Sequence, residues 1–342
     1  MRPVVVCAGI GVDSSSVLAL LAGGDPRLAG QRSRLAAVAT SDLETEDPTT
    51  YVFRDHYLRP FLQERGMELV VVSPAVRDRH GQVHSNLYDY YFAQGMVPSR
   101  ARRSCTNRFK IARVKQYIRE QVGPEAEVII GFDCQEATRA AKLRNTAAFT
   151  YSCPMMDLGM DRLDACATLL RFGLPVPRRS ACFCCPFAKS DDWAALSRQQ
   201  PARYQQCVDM EEEVRRVRGR ELLLGRKPLR DYPQPRVYRV PAEPQRLFAR
   251  AQSLLGQITP AWPSQALCLA AQELYGADWP VAVRAFKIGP KPLLDPWQLY
   301  LRLEHCLERG TPLPVAATRP CGAVELSRPV DLPSSGVASL VL

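Results

Sequence analysis

Three valines, Val4, Val5 and Val6, lead almost directly into Gly9-Ile10-Gly11-Val12-Asp13-Ser14-Ser15-Ser16, and an apolar helical stretch follows from Val17 to Leu21. A strand, a glycine loop and a helix start in immediate succession constrain this chain more than any other segment. Gly9 and Gly11 let the backbone turn tightly and aim its N–H groups inward. The serines offer capping hydroxyls, and the helix start adds partial positive charge. Such a loop is built to hold phosphate. Two common versions are excluded. No Gly-Lys-Ser/Thr follows, so this is not the ordinary P-loop. Position 14 is Ser where a dinucleotide fingerprint needs its third glycine. A generic turn of another α/β protein would look the same locally, so the rest of the chain must decide.

Val4–Val6, Leu35–Ala39, Leu69–Val72 and Val128–Ile130 read as short buried strands, and segments 14–22, 50–65 and 108–121 as helices. Strands alternating with helices predict an α/β, doubly wound, mostly parallel sheet. Ligands of such sheets bind at the carboxyl ends of the strands. The loop at 9–14, Ser41-Asp42 and Gly131-Phe132-Asp133 all fall there. Residues 136 to 225 read as a helical region with a Cys-rich insertion at 180–187. The expected organisation is a phosphate-binding domain over 1–225, a Pro-rich linker over 226–244, a helical C-terminal region over 245–310 and a partly disordered tail over 311–342. Trp262, Trp279 and Trp297 are the expected anchors of the C-terminal helices.

The net charge of +10 favours an anionic partner such as a nucleotide or nucleic acid. Two basic clusters carry much of it. One is Arg100, Arg102, Arg103, Arg108, Lys110, Arg113 and Lys115; the other is Arg215, Arg216, Arg218, Arg220, Arg226, Lys227 and Arg230. Either could equally be a solvated helix face. No run of 18 apolar residues is present, and Asp13 with its serines interrupts any leader-like segment, so no membrane contact and a cytoplasmic location are expected. Twelve cysteines in that compartment point to metal, cluster or redox chemistry rather than disulfides.

Three further constellations carry chemistry. In Ser41-Asp42-Leu43-Glu44-Thr45-Glu46, the carboxylates of Asp42 and Glu46 could accept from a ribose hydroxyl or hold Mg²⁺, although acidic residues also suit a helix start. Asp133, Glu136 and Arg139 lie at i, i+3 and i+6, one helix face, where Arg139 could reach a phosphate. In Ser180-Ala181-Cys182-Phe183-Cys184-Cys185-Pro186, Cys182 and Cys185 have the spacing of two thiolates on one metal. Cys105 and Cys166, each beside basic residues that would favour a thiolate, are the expected further ligands. Four thiolates suit a [4Fe–4S] cluster or structural Zn²⁺. Buried, reduced packing thiols would share the same sequence, and Cys184 is expected to be one.

Taken in order, these motifs resemble the PAPS reductase-like branch of the PP-loop ATP pyrophosphatases, among its phage and bacterial members. The likeness runs over about residues 3–215. It rests on Gly9-Ile10-Gly11-Val12-Asp13-Ser14, Asp42-x-x-x-Glu46-x-Pro48-x-Thr50-Tyr51, Pro98-Ser99, Ser104-Cys105, Lys110, Gly131-x-Asp133-x-x-Glu136-x-x-Arg139 and Ser180-Ala181-Cys182-Phe183-x-Cys185-Pro186. The family's Ser-Gly-Gly-x-Asp-Ser loop is altered here, with Gly9 and Ile10 replacing its first two residues. The resemblance implies an adenine nucleotide alpha hydrolase-like fold and an ATP pyrophosphatase that adenylates a nucleic acid (DNA or tRNA) or a nucleotide for sulfur transfer, with a possible sulfur-donor protein. ATP would lie on Gly9, Ile10, Gly11, Val12, Asp13, Ser14, Ser15, Asp42, Glu46, Asp133 and Glu136. Asp13 would place Mg²⁺, and Lys110 and Arg139 would hold substrate or α-phosphate. Cys105, Cys166, Cys182 and Cys185 would hold the cluster. Two other readings stay open. A PAPS or adenylyl-sulfate reductase would use a late cysteine, here Cys321, which lacks the Glu before and the His after. A non-catalytic nucleotide- or nucleic-acid-binding subunit would keep the altered loop without turnover.

Overall fold

The computed structural model describes residues 1–221, 223–225, 227–231, 235–289 and 293–310. Five strands form one parallel sheet: β1 (Val4–Cys7), β2 (Leu35–Ser41), β3 (Leu69–Val72), β4 (Ala126–Ile130) and β5 (Phe149–Ser152), in spatial order β3-β2-β1-β4-β5. Val5 of β1 faces Ala37 on one side and Val128 on the other. β5 has no counterpart among the expected strands. Its Phe-Thr-Tyr-Ser sequence lacks the valine run of the central strands, and its register on β4 from Ala126↔Phe149 onward makes it an edge.

The valine run is continuous because the sheet is covered on both faces. Val4 and Val6 point into one core with α1 (Val12–Ala22), while Val5 points into another. That second core takes Val114 and Ile118 from the helix at residues 106–122 and Phe149 from β5. The helix at 48–63 follows β2 and starts on Asp47, whose Oδ1 accepts the Thr49 amide at 3.0 Å. Both of these helices include wider π-helical turns.

On the Val4/Val6 face, α1 packs on α2 (Arg162–Arg171). The C-terminal helices α3 (Ala242–Leu255), α4 (Pro263–Tyr275) and α5 (Pro296–Gly310) join the same core. Leu247, Phe248, Leu267, Cys268 and Leu303 lie in one cluster with Val6 and Leu18. Trp262 meets Phe53 and Tyr57 edge-on, at 6.2 and 5.8 Å between ring centres. The expected linker at 226–244 therefore does not separate two cores. A further cluster holds Leu43, Tyr90, Phe109, Cys184, Trp193 and Cys207, and it anchors the Cys-rich loop. No helix among the described residues is long and apolar enough to cross a membrane.

Candidate nucleotide and metal site

The chain runs outward from β1 to β3 and returns to β4 beside β1, so the strand order reverses between β1 and β4. A crevice at the carboxyl edge is expected there. α1 begins at this point on Gly11, in extended conformation (φ −101°, ψ 178°), with no side chain capping it. The first-turn amides of Val12, Asp13 and Ser14 find no acceptor among the described residues. They form an open set of donors for an anion. The Ser14 hydroxyl stays inside the loop, where Oγ accepts the Gly9 amide at 3.1 Å and donates to the Gly11 carbonyl at 3.3 Å.

Ile10 sits in the left-handed region at φ +53° with its side chain only 4% exposed. A β-branched residue there is strained by about 1–3 kcal/mol, while its burial offsets that strain. Ile10→Gly should therefore destabilise the protein less than Ile10→Ala, the reverse of the usual order, because glycine alone relaxes the backbone. Urea denaturation of the two variants checks this; alanine proving the milder change would rule out strain at Ile10.

Gly131, just past β4, brings the second loop against the helix start. A Cβ at Gly131 would lie 2.7 Å from both the amide N and the Cα of Ser14. This close approach carries Asp133 and Glu136 to Asp13, and one carboxylate oxygen of each lies within 4.8 Å of the others. Asp13 Oδ2 pairs with Arg162, whose other arm reaches Asp295 Oδ2 at 2.7 Å. Asp13 Oδ1 is buried and has no hydrogen-bond partner among the described residues. Burial pushes the Asp13 carboxyl up to about 6, against the pull of Arg162 and with help from Asp133 and Asp295. Three hard oxygen donors with one orphaned buried oxygen fit a divalent cation such as Mg²⁺. Arg139 pairs with Glu136 and lies 4.3 Å from the Phe132 ring centre.

The β2 loop contributes differently from expectation. Asp42 is fully engaged: Oδ1 accepts from the Tyr51 hydroxyl at 3.0 Å and the Glu44 amide at 2.9 Å, and Oδ2 pairs with Arg54 at 2.8 Å. Its neighbours leave it as a brace for the loop rather than a nucleotide contact. Glu46 is buried; Oε1 pairs with Lys110 Nζ at 3.0 Å, and Oε2 accepts from Ser180 Oγ at 3.2 Å. Burial alone would push Lys110 down, but Glu46 and the neighbouring Cys182 hold it above its ordinary value. Ser180 Oγ also lies 2.8 Å from the Gly9 carbonyl, which ties the Cys-rich loop to the phosphate loop.

The four expected thiolates do not meet. Cys182 and Cys185 are in contact, and Cys105 lies close to Cys185. Cys166 instead faces the apolar core from α2, paired with Cys268. The reason is periodicity: Leu163, Cys166 and Leu169 form one buried stripe. Asp13, Asp133 and Glu136 are the one metal-competent group of three or more His, Cys, Asp or Glu among the described residues. The Cys105, Cys166, Cys182 and Cys185 set thus does not fit a [4Fe–4S] cluster or Zn²⁺. Nor do basic neighbours give thiolates. Burial raises the Cys105 and Cys166 thiols, and contact with Cys184 followed by burial raises Cys182. Cys184 packs in the core as expected.

No protein-family model and no curated protein matches this chain. The geometry itself therefore carries the functional argument. Arg162 and Ser180 are the site residues that the motifs missed as partners of the loop. Their contacts span 149 and 171 residues, and only the position of Ser180 at the head of the cysteine motif hinted at them.

Proposed function

We propose that the protein is an ATP pyrophosphatase of the PP-loop kind, with an adenine nucleotide alpha hydrolase-like fold, that transfers an adenylyl group to an acceptor and releases pyrophosphate. The observation that carries this reading is the meeting of Asp13, Asp133 and Glu136 beside the open amides of α1 at the point where strand order reverses. The amides of Val12, Asp13 and Ser14 would hold the β- and γ-phosphate oxygens and stabilise charge on the departing pyrophosphate. Asp13, Asp133 and Glu136 would hold a divalent cation, which neutralises phosphate charge and aligns the leaving group. Arg139 would turn from Glu136 to the α-phosphate as a two-armed donor. An acceptor atom then bonds to the α-phosphorus as the bond to the bridging oxygen breaks. Lys110, held by Glu46, supplies fixed positive charge at the same edge. No step runs through a cysteine-bound cluster. A cytoplasmic setting would keep the eleven described free thiols reduced. A reductase would need Cys321, which lies outside the described residues.

Binding without turnover is the second reading, favoured by the left-handed Ile10 where the family loop has glycine. The test is chromatography of ATP incubated with the protein, Mg²⁺ and candidate acceptors. AMP or an adenylylated acceptor should appear with pyrophosphate, and EDTA should stop it. Release of ADP and phosphate would overturn the proposal. Tight ATP binding with no product would select the second reading.

A further inference from the structure

The two carboxylate oxygens of Asp13 are treated differently. Oδ2 pairs with Arg162, while Oδ1 is buried with no hydrogen-bond partner among the described residues. A guanidinium is a planar fork, and a lone carboxylate commonly takes two of its N–H groups, one on each oxygen. Other pairs in this protein close in that way. Arg27 donates to Asp25 Oδ1 at 2.9 Å and to Oδ2 at 2.7 Å. Arg216 donates to the two oxygens of Glu213 at 2.7 and 2.6 Å, and Arg284 to the two of Asp161 at 2.6 and 2.9 Å. The Arg162 fork does not close on Asp13.

Asp295 holds it open. The Nη1 arm of Arg162 reaches Asp295 Oδ2 at 2.7 Å. Asp295 is itself fixed, because its Oδ1 accepts the Gln298 amide at 3.1 Å at the start of α5. Arg162 is fixed too. It heads α2, next to Asp161, whose Oδ1 accepts the amides of Leu163 and Asp164 at 2.9 and 3.1 Å. All three side chains of the bridge are mostly buried. The bridge therefore joins α1, α2 and α5, and a carboxylate from the C-terminal helices decides how Asp13 is held. Asp13 is also the residue that meets Asp133 and Glu136.

We propose that Asp295 and Arg162 are positioning residues for the cation: Asp295 draws one arm of the Arg162 fork aside, so that Asp13 is held by one oxygen and offers the other to the metal. The inference rests on the reading of Asp13, Asp133 and Glu136 as a divalent-cation site, and it makes the C-terminal helices part of that site. Without the charge of Asp295, the fork is free to close over both oxygens of Asp13, as Arg27 does on Asp25.

The test uses Mn²⁺ as the probe, a cation suited to carboxylate oxygens, and reads the loss of the free-ion EPR signal as the full chain is added. Asp295→Asn keeps a capping side chain at the start of α5 but removes the charge that holds the second arm. It should weaken Mn²⁺ binding by about tenfold to a hundredfold. Adding Arg162→Lys to Asp295→Asn should recover most of that loss, because an ammonium has no fork to close. A mere loss of negative charge near the cation would not be recovered, since lysine and arginine carry the same charge. Arg284→Ala is the structural control. Arg284 grips the head of the same helix but pairs with Asp161 and Asp164 rather than Asp13. Its loss should lower the melting temperature and leave Mn²⁺ affinity unchanged. Mn²⁺ bound by Asp295→Asn as tightly as by the unsubstituted chain would overturn the positioning role. So would a double variant no better than Asp295→Asn, or an equal loss of affinity in Arg284→Ala. An unsubstituted chain that binds no Mn²⁺ would overturn the cation site itself, and this inference with it. The expected Mn²⁺ pattern without pyrophosphate release would overturn the ATP reading and leave this one standing.

Discussion

Asp13→Asn is expected to reduce adenylyl transfer by about a thousandfold, roughly 4 kcal/mol of barrier, while leaving the chain folded. The carboxylate is one of three that converge at the head of α1, and its Oδ1 is buried with no hydrogen-bond partner among the described residues. An asparagine of nearly the same shape removes the charge that a cation needs. The same change should make the protein more stable in chelator. Burial raises the Asp13 carboxyl from an ordinary 3.8 to about 6. Between these values the folded state holds a proton that the unfolded state has released. Stability in EDTA should therefore fall as pH rises from about 4 to about 6 and stay level above. Mg²⁺ added above pH 6 should restore it by binding the ionised group. Asp13→Asn should remove both the pH slope and the Mg²⁺ response. Thermal melts from pH 4 to 7, with EDTA and with Mg²⁺, read all of this out. An Asn variant that still melts later in Mg²⁺ and still releases pyrophosphate would show that the carboxylates are not the cation site.

Much of the parallel sheet is legible in the sequence, for a specific reason. β1 is buried on both faces and β2, β3 and β4 are buried in part, so Val4–Val6, Leu35–Ala39, Leu69–Val72 and Val128–Ile130 stand out as apolar runs between turns. Glu136 and Arg139, three residues apart on one face, form an ion pair that this spacing allows. What was not legible is long-range. β5 is an edge strand with half its residues polar, and nothing local marks it. Asp42 looked like a ligand because its partners Tyr51 and Arg54 come from the following helix. Arg162 beside Cys166 in sequence suggests a thiolate ligand, but the helical stripe of that segment turns Cys166 into the core. Leu163, Cys166 and Leu169 at three-residue steps are a core face, and the helices after 245 supply what covers it. The same helices looked like a separate region because their apolar stripes do not reveal which surface they meet.

The close approach at Gly131 makes the last prediction the strongest test of how the two loops meet. Gly131→Ala should destabilise the protein by about 3 kcal/mol and lower its melting temperature by roughly 5–10 °C. The added methyl would sit 2.7 Å from the Ser14 amide nitrogen and Cα, and 3.1 Å from the Asp13 carbonyl carbon. Those atoms are backbone at the head of a buried helix, so no side chain can swing aside. Relief requires α1 or the β4 loop to move as a unit, against a core that includes Leu18, Leu21 and Ile129. Either movement separates Asp13 from Asp133 and turns the first-turn amides off their common target. ATP affinity should then fall together with stability, even though Gly131 offers no side chain to a ligand. Gly30→Ala is the control, because nothing lies within 4 Å of a Cβ there, and alanine in that helical position should be neutral or slightly stabilising. If Gly131→Ala melts like Gly30→Ala and binds ATP normally, the two loops have slack between them. The carboxylate triad would then be a loose meeting of surface acids rather than a site set by the packing of β4 on α1.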